Sequence, residues 1–160
     1  MMTVTVACVG RLKEAYWRDA CAEYTRRLNG FYQFKVVEVE ETRLPDTPSP
    51  AQIEAALREE GRRLLAKCPP GAAFAALCIE GETLDSPALA ETLSQWGVMG
   101  HGQAVLFVGS SYGLSPEVKA ACARRLSMSR MTFPHQLARV MLLEQLYRAA
   151  QIQHGGRYHK

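Results

Sequence analysis

A run of five apolar residues, Ala104-Val105-Leu106-Phe107-Val108, is set directly against a small-residue turn, Gly109-Ser110-Ser111-Tyr112-Gly113. The run has strand length and no polar alternation, which is the pattern of a strand covered on both faces. Ser115-Pro116 follows, a hydroxyl cap and a first-turn proline that start a helix. Strand, glycine-bearing turn and helix start together aim backbone N–H groups at the carboxyl edge of a sheet. Open α/β sheets bind ligands at that edge. An ordinary tight β-to-α connection has the same pattern, so residues 105–135 locate a site without yet naming its ligand.

The rest of the chain fits around that strand. Residues 3–10, with Val4, Val6 and Val9, read as a first strand, and residues 14–28 as a helix with Tyr16 or Trp17, Ala20, Tyr24 and Leu28 near one stripe. Residues 34–41 alternate apolar and charged, as a strand nearer a sheet edge does. Residues 41–50 carry three prolines and form a loop. Ser49-Pro50 starts a helix to about Lys67, with Ile53, Leu57, Leu64 and Leu65 buried and Arg58, Glu59, Glu60, Arg62 and Arg63 on a solvated face. Residues 72–79 form a second fully apolar strand, and Ser86-Pro87 starts a helix to about Trp96, broken by residues 97–102. Residues 126–131 are a short strand or extended segment, and Pro134 leads a last helix over residues 135–153. Alternating strands and amphipathic helices predict a largely parallel sheet, in one domain spanning residues 1–160. The last helix is apolar around most of its circumference, so it is expected to pack on the sheet and on a second copy of the chain.

Charge is distributed unevenly. Residues 1–118 hold 11 basic and 15 acidic side chains, whereas residues 119–160 hold 8 basic ones and a single acid, Glu144. That skew points the C-terminal part at a polyanion. Five cysteines without a C-x-x-C pair argue against a disulfide framework and a zinc site, and favour a reducing cytoplasm. No membrane span or signal peptide is expected.

The C-terminal words carry a resemblance. Leu126-Ser127-Met128-Ser129-Arg130-Met131-Thr132-Phe133-Pro134-His135 is followed by Arg139-Val140, by Glu144-Gln145-Leu146-Tyr147-Arg148-Ala149 and by Tyr158-His159-Lys160. With the opening Ala7-Cys8-Val9-Gly10-Arg11-Leu12-Lys13, Tyr16-Trp17 and Glu23-Tyr24, this closely resembles the RlmH family over essentially the whole chain. Those are SPOUT-class enzymes that methylate a pseudouridine of bacterial 23S ribosomal RNA.

The resemblance implies an α/β fold with a C-terminal trefoil knot, a homodimer, and S-adenosyl-L-methionine held in the knotted loops. General topology rules would not have suggested a knot. Carried over by position, the cofactor contacts are Leu77, Gly109, Met128, Ser129, Arg130, Met131, Thr132 and Phe133. Leu77, Met128, Met131 and Phe133 offer apolar walls for adenine, and Gly109 permits close backbone approach. One departure stands out: the family's second turn glycine is Ser110 here, which is strained if that position needs a positive φ.

The implied chemistry moves a methyl group from a sulfonium to the N3 nitrogen of a pseudouridine. It needs alignment, a proton acceptor and a stabiliser of the developing negative oxygen, but no metal. His159 is the candidate proton acceptor and Arg139 the candidate stabiliser, while Arg157 and Tyr158 are candidates for holding a phosphate and stacking a base. His135 reads first as a helix N-terminal residue. A seven-residue tail reaches at most about 25 Å, to its own cofactor or to a partner's. A SPOUT enzyme with another RNA target and a non-catalytic RNA-binding dimer are the rival readings.

Overall fold

The computed structural model describes residues 1–99 and 102–160. The chain runs β1 (Thr3–Val9), α1 (Ala15–Leu28), β2 (Gln33–Val39), α2 (Pro50–Ala66), β3 (Ala73–Thr83), α3 (Ser86–Val98), β4 (Gln103–Val108), α4 (Pro116–Ala121), β5 (Arg124–Ser127) and α5 (His135–Gln153). The strands form one sheet in the order β2-β1-β4-β3-β5, every pairing parallel. Of the expected break at residues 97–102, Gly100 and His101 lie outside the described residues.

The doubly covered strand of the sequence reading is β4. Its Ala104, Leu106 and Val108 join one core layer with Val4, Val6 and Cys8 of β1. Val105 and Phe107 join the opposite layer with Ala7 and Val9. This period-2 division lets both faces of β1 and β4 be apolar. Helices α1, α3 and α5 cover the first layer, with Leu28, Leu93, Leu142, Leu143 and Leu146 buried there. Helices α2 and α4 cover the second through Leu64 and Val118. Full burial of Phe107, edge-on to Phe74 at 5.6 Å, contributes about 2–3 kcal/mol.

Several expectations need correction. Strand β3 runs past Ile79 to Thr83: its pairing with β5 slips between Leu77 and Glu82, so the intervening residues bulge out of register. Gly81 makes the return possible, because a Cβ there would sit 2.6 Å from the Leu126 backbone. Helix α3 is capped by Asp85, whose carboxylate accepts the Ala88 N–H at 2.8 Å. Ser86 instead lies inside α3, with its hydroxyl 2.6 Å from the Gln145 amide oxygen. The Ser49 and Ser115 caps fall where expected, Ser49 in a reciprocal capping box with Gln52. The wide apolar circumference of α5 is covered inside the chain by α1 and α3, so it does not by itself call for a second copy.

The charged face of α2 hides the largest discrepancy. Glu60 is only 3% exposed. Ala56, Glu60 and Leu64 recur every four residues and share the buried stripe.

Candidate active site

Strands β3, β4 and β5 release their chains at one edge of the sheet. The adjacent strands β3 and β4 send them to opposite faces, β3 into α3 beside α5 and β4 into α4 beside α2. Such a divergence opens a crevice. A cleft of about 260 Å³ lies there, walled by the β3 bulge, by the turn after β4, and by the loop between β5 and α5.

The cleft brings together seven of the eight residues carried over for the cofactor: Leu77, Gly109, Met128, Ser129, Met131, Thr132 and Phe133. Arg130 does not line it and is exposed. Two serine contacts shape the β5–α5 loop: Ser127 Oγ donates to the Ser129 carbonyl at 2.9 Å, and Ser129 Oγ accepts the Met131 N–H at 3.0 Å. Gly109 is required by its own turn, because a Cβ there would run into the Gly113 carbonyl. Gly113 carries the positive φ, +91°, and among the described residues no residue other than glycine has one. Ser110 is therefore unstrained. It is buried, accepts the Tyr112 N–H at 3.3 Å through Oγ, and accepts the Gly113 N–H at 2.9 Å through its carbonyl.

Three further lining residues went unassigned in the sequence. His135, the first residue of α5, reaches the cleft, and burial holds its imidazole below the usual range; Glu41 opposes that and Arg139 reinforces it. Cys78 also lines the wall, and burial pushes its thiol up, so it stays protonated. Tyr112 stands half in solvent at the mouth. The Pro134-His135 pair was a usable signal, since a helix-opening proline fixes where the next side chain points.

Arg139, Arg157, Tyr158 and His159 are not brought to this cleft. Arg139 is 3% exposed and committed, donating to Glu38 at 2.6 Å and to the Gly10 carbonyl at 3.1 Å. The tail folds back on α5. Tyr158 donates to Glu144 at 3.0 Å and meets the Tyr147 ring edge-on, and Arg148 stacks over its ring and lies 3.4 Å from His159 Nδ1. Burial first, then the bond to Glu144, pushes the Tyr158 phenol up to about 12, so it remains a donor. Arg157 is exposed.

A parallel α/β sheet with an apolar, backbone-rich cleft at its carboxyl edge defines a binder of nucleoside-bearing ligands. The family described as "Predicted SPOUT methyltransferase" matches residues 2–159, and the chain belongs to that family. SPOUT methyltransferases generally take their methyl group from S-adenosylmethionine. In fold the chain is also similar to the structure of a probable methylase family protein from Haemophilus influenzae Rd KW20. The TM-score is 0.53 at 12% identity, over 98% of this chain and 70% of that one. No helix among the described residues is long and apolar enough to cross a membrane.

Proposed function

We propose that residues 1–160 form a single cytoplasmic domain that methylates N3 of a pseudouridine in bacterial 23S ribosomal RNA, on assembled ribosomes and as a homodimer. The observation that carries this reading is the convergence of seven expected cofactor residues from three separate segments on one cleft.

The donor set fits an adenosine-bearing sulfonium. Leu77, Met128, Met131 and Phe133 supply apolar wall, and the turn at Gly109 and the loop at Ser129 supply backbone donors and acceptors. When bound there, S-adenosyl-L-methionine would supply an electrophilic methyl group. The protein's tasks are to seat the base, exclude water and remove the imide proton. Ile79, Tyr112 and Met131 are exposed apolar side chains around the mouth, suited to receiving a flat base. His135 is the proton acceptor best placed in the chain's own cleft, because its lowered pKa keeps it neutral near pH 7. His159, Arg157 and Tyr158 keep a part in this reading when the tail swings off α5 or reaches over from a second copy. A second copy has an apolar hollow available between α3 and α5, which shares Leu77, Ser127 and Met128 with the cleft. Arg139 then acts by fixing the end of β1 and α5 beside His135. The trefoil path belongs to the same reading.

The test uses purified protein, labelled S-adenosylmethionine and ribosomes from a strain lacking the endogenous methylase. Label at one pseudouridine of the 23S RNA is the expected result. Label elsewhere would move the enzyme to another RNA, and no label with no donor binding would remove the reading. With ribosomes methylated, His135→Ala is expected to lower turnover at least a hundredfold, and His159→Ala separates the two proton acceptors.

A further inference from the structure

We propose that Glu60 is a positioning residue for the cofactor cleft, holding the β4–α4 turn through the Ser110 hydroxyl and the β2–α2 loop through the Thr42 amide. This rests on the reading that the cleft takes S-adenosylmethionine. Glu60 rises from the middle of α2, and its side chain enters the core layer beneath both segments. Gly61 lets α2 come this close, since a Cβ there would collide with Ser115 and lie 2.9 Å from Val118 of α4.

One carboxyl oxygen is fully used: Oε2 accepts the Thr42 N–H at 2.8 Å. Arg63, one residue beyond Gly61, fastens the same loop by donating to the Glu40 carbonyl at 2.9 Å and to Thr42 Oγ1 at 3.2 Å. Between those two anchors lies Glu41, the acid whose charge is felt by His135 in the cleft. The other oxygen, Oε1, is buried and has no hydrogen-bond partner among the described residues. A buried carboxyl oxygen left in that state is costly, and its environment is under pressure to satisfy it. The Ser110 side chain lies against this carboxyl group. Because Ser110 Oγ already accepts the Tyr112 N–H, its own proton is available to donate. The hydroxyl thus links the buried acid to the turn that walls the cleft, a link that a glycine at this position could not make. Ser110 and Glu60 form one device. Replacing Ser110 with glycine should loosen the turn, not relieve it.

The test is titration of S-adenosylhomocysteine by calorimetry into the intact chain, at a temperature where circular dichroism shows every variant folded. Glu60→Ala and Ser110→Gly are each expected to weaken binding about tenfold, the order of one hydrogen bond to a charged group. The double variant should lose little more than either single one, which is the signature of coupling. Glu60→Gln, which keeps an acceptor for Thr42 and gains a donor toward Ser110, should stay within about threefold. A second readout needs no ligand: exchange of the Tyr112 and Gly113 amides should speed up about tenfold in both single variants. Lower melting temperatures with unchanged affinity and unchanged exchange at those amides would overturn the proposal, as would losses that simply multiply. If the unaltered protein binds no S-adenosylhomocysteine, the cofactor reading fails, and amide exchange alone still decides the fate of the Glu60–Ser110 link.

Discussion

Two charged side chains are buried near the carboxyl edge of the sheet, on opposite faces, and they are satisfied differently. Arg139 reaches from α5 to the Glu38 carboxylate and the Gly10 carbonyl. Glu60 reaches from α2 to one amide and leaves an oxygen without a partner. A closed pair of this kind holds elements together whether or not a ligand is present. An open one depends on how neighbouring loops are set, so it belongs where those loops build a site. Breaking the closed side should therefore show chiefly as instability. Arg139→Met is expected to lower unfolding free energy by about 3 kcal/mol in urea titration, since it strands Glu38 and the Gly10 carbonyl. Where the variant is still folded, its affinity for S-adenosylhomocysteine should change less than threefold. A stable variant with no turnover would instead give Arg139 the oxygen-stabilising role read from the sequence.

The open side should respond in the reverse sense. Gly109→Ala places a methyl group against the Gly113 carbonyl, so the turn must shift. A stability loss of about 1–2 kcal/mol is expected, with at least a tenfold weaker affinity in the same calorimetric titration. A smaller effect separates Glu60 by its pH dependence. Burial raises the Glu60 pKa, with the Thr42 bond opposing and the Glu41 charge adding. Its unfolded form therefore ionises first as pH rises, and the folded state loses stability until the folded pKa is passed. Glu60→Gln lacks that loss. Its stability relative to the parent should grow between about pH 4 and pH 7, as read from urea midpoints along the series. A constant difference would mean that Glu60 ionises alike in both states.

The contrast also explains what could be read from residue order. The doubly apolar β4, the serine caps at Ser49 and Ser115, and the placing of Leu77, Gly109 and residues 128–133 on loops were all legible. Each is a local pattern or a matched word. Arg139 and Glu60 were not legible, because both sit among other charged or polar residues on helices and burial is decided by what packs over them. For Glu60 a trace existed in the four-residue spacing from Ala56 to Leu64, but Arg58, Glu59, Arg62 and Arg63 outweighed it. The extension of β3 was hidden for another reason. Residues 78–81 leave the ladder and return to it, and only the pairing with β5 reveals that. Ser110 was read against a glycine, yet its backbone never enters the region where glycine is favoured.

Glu144 supplies an intermediate case and the smallest test. Its carboxylate takes bonds from Arg148 at 2.6 Å, from Gln145 at 2.6 Å and from Tyr158 at 3.0 Å, so it is closed like the Arg139 pair but lies nearer the surface. Tyr158→Phe removes one of several donors and keeps the ring against Tyr147. The expected stability loss is about 0.5–1 kcal/mol, because Arg148 still satisfies the acid. The informative readout is turnover on ribosomes. If the tail works by leaving α5, weakening its anchor should raise turnover or leave it intact, although stability falls. If the Tyr158 hydroxyl meets RNA directly, turnover falls while the affinity for S-adenosylhomocysteine does not change. The two outcomes separate a tail that is merely stored on α5 from one whose own groups act in the reaction.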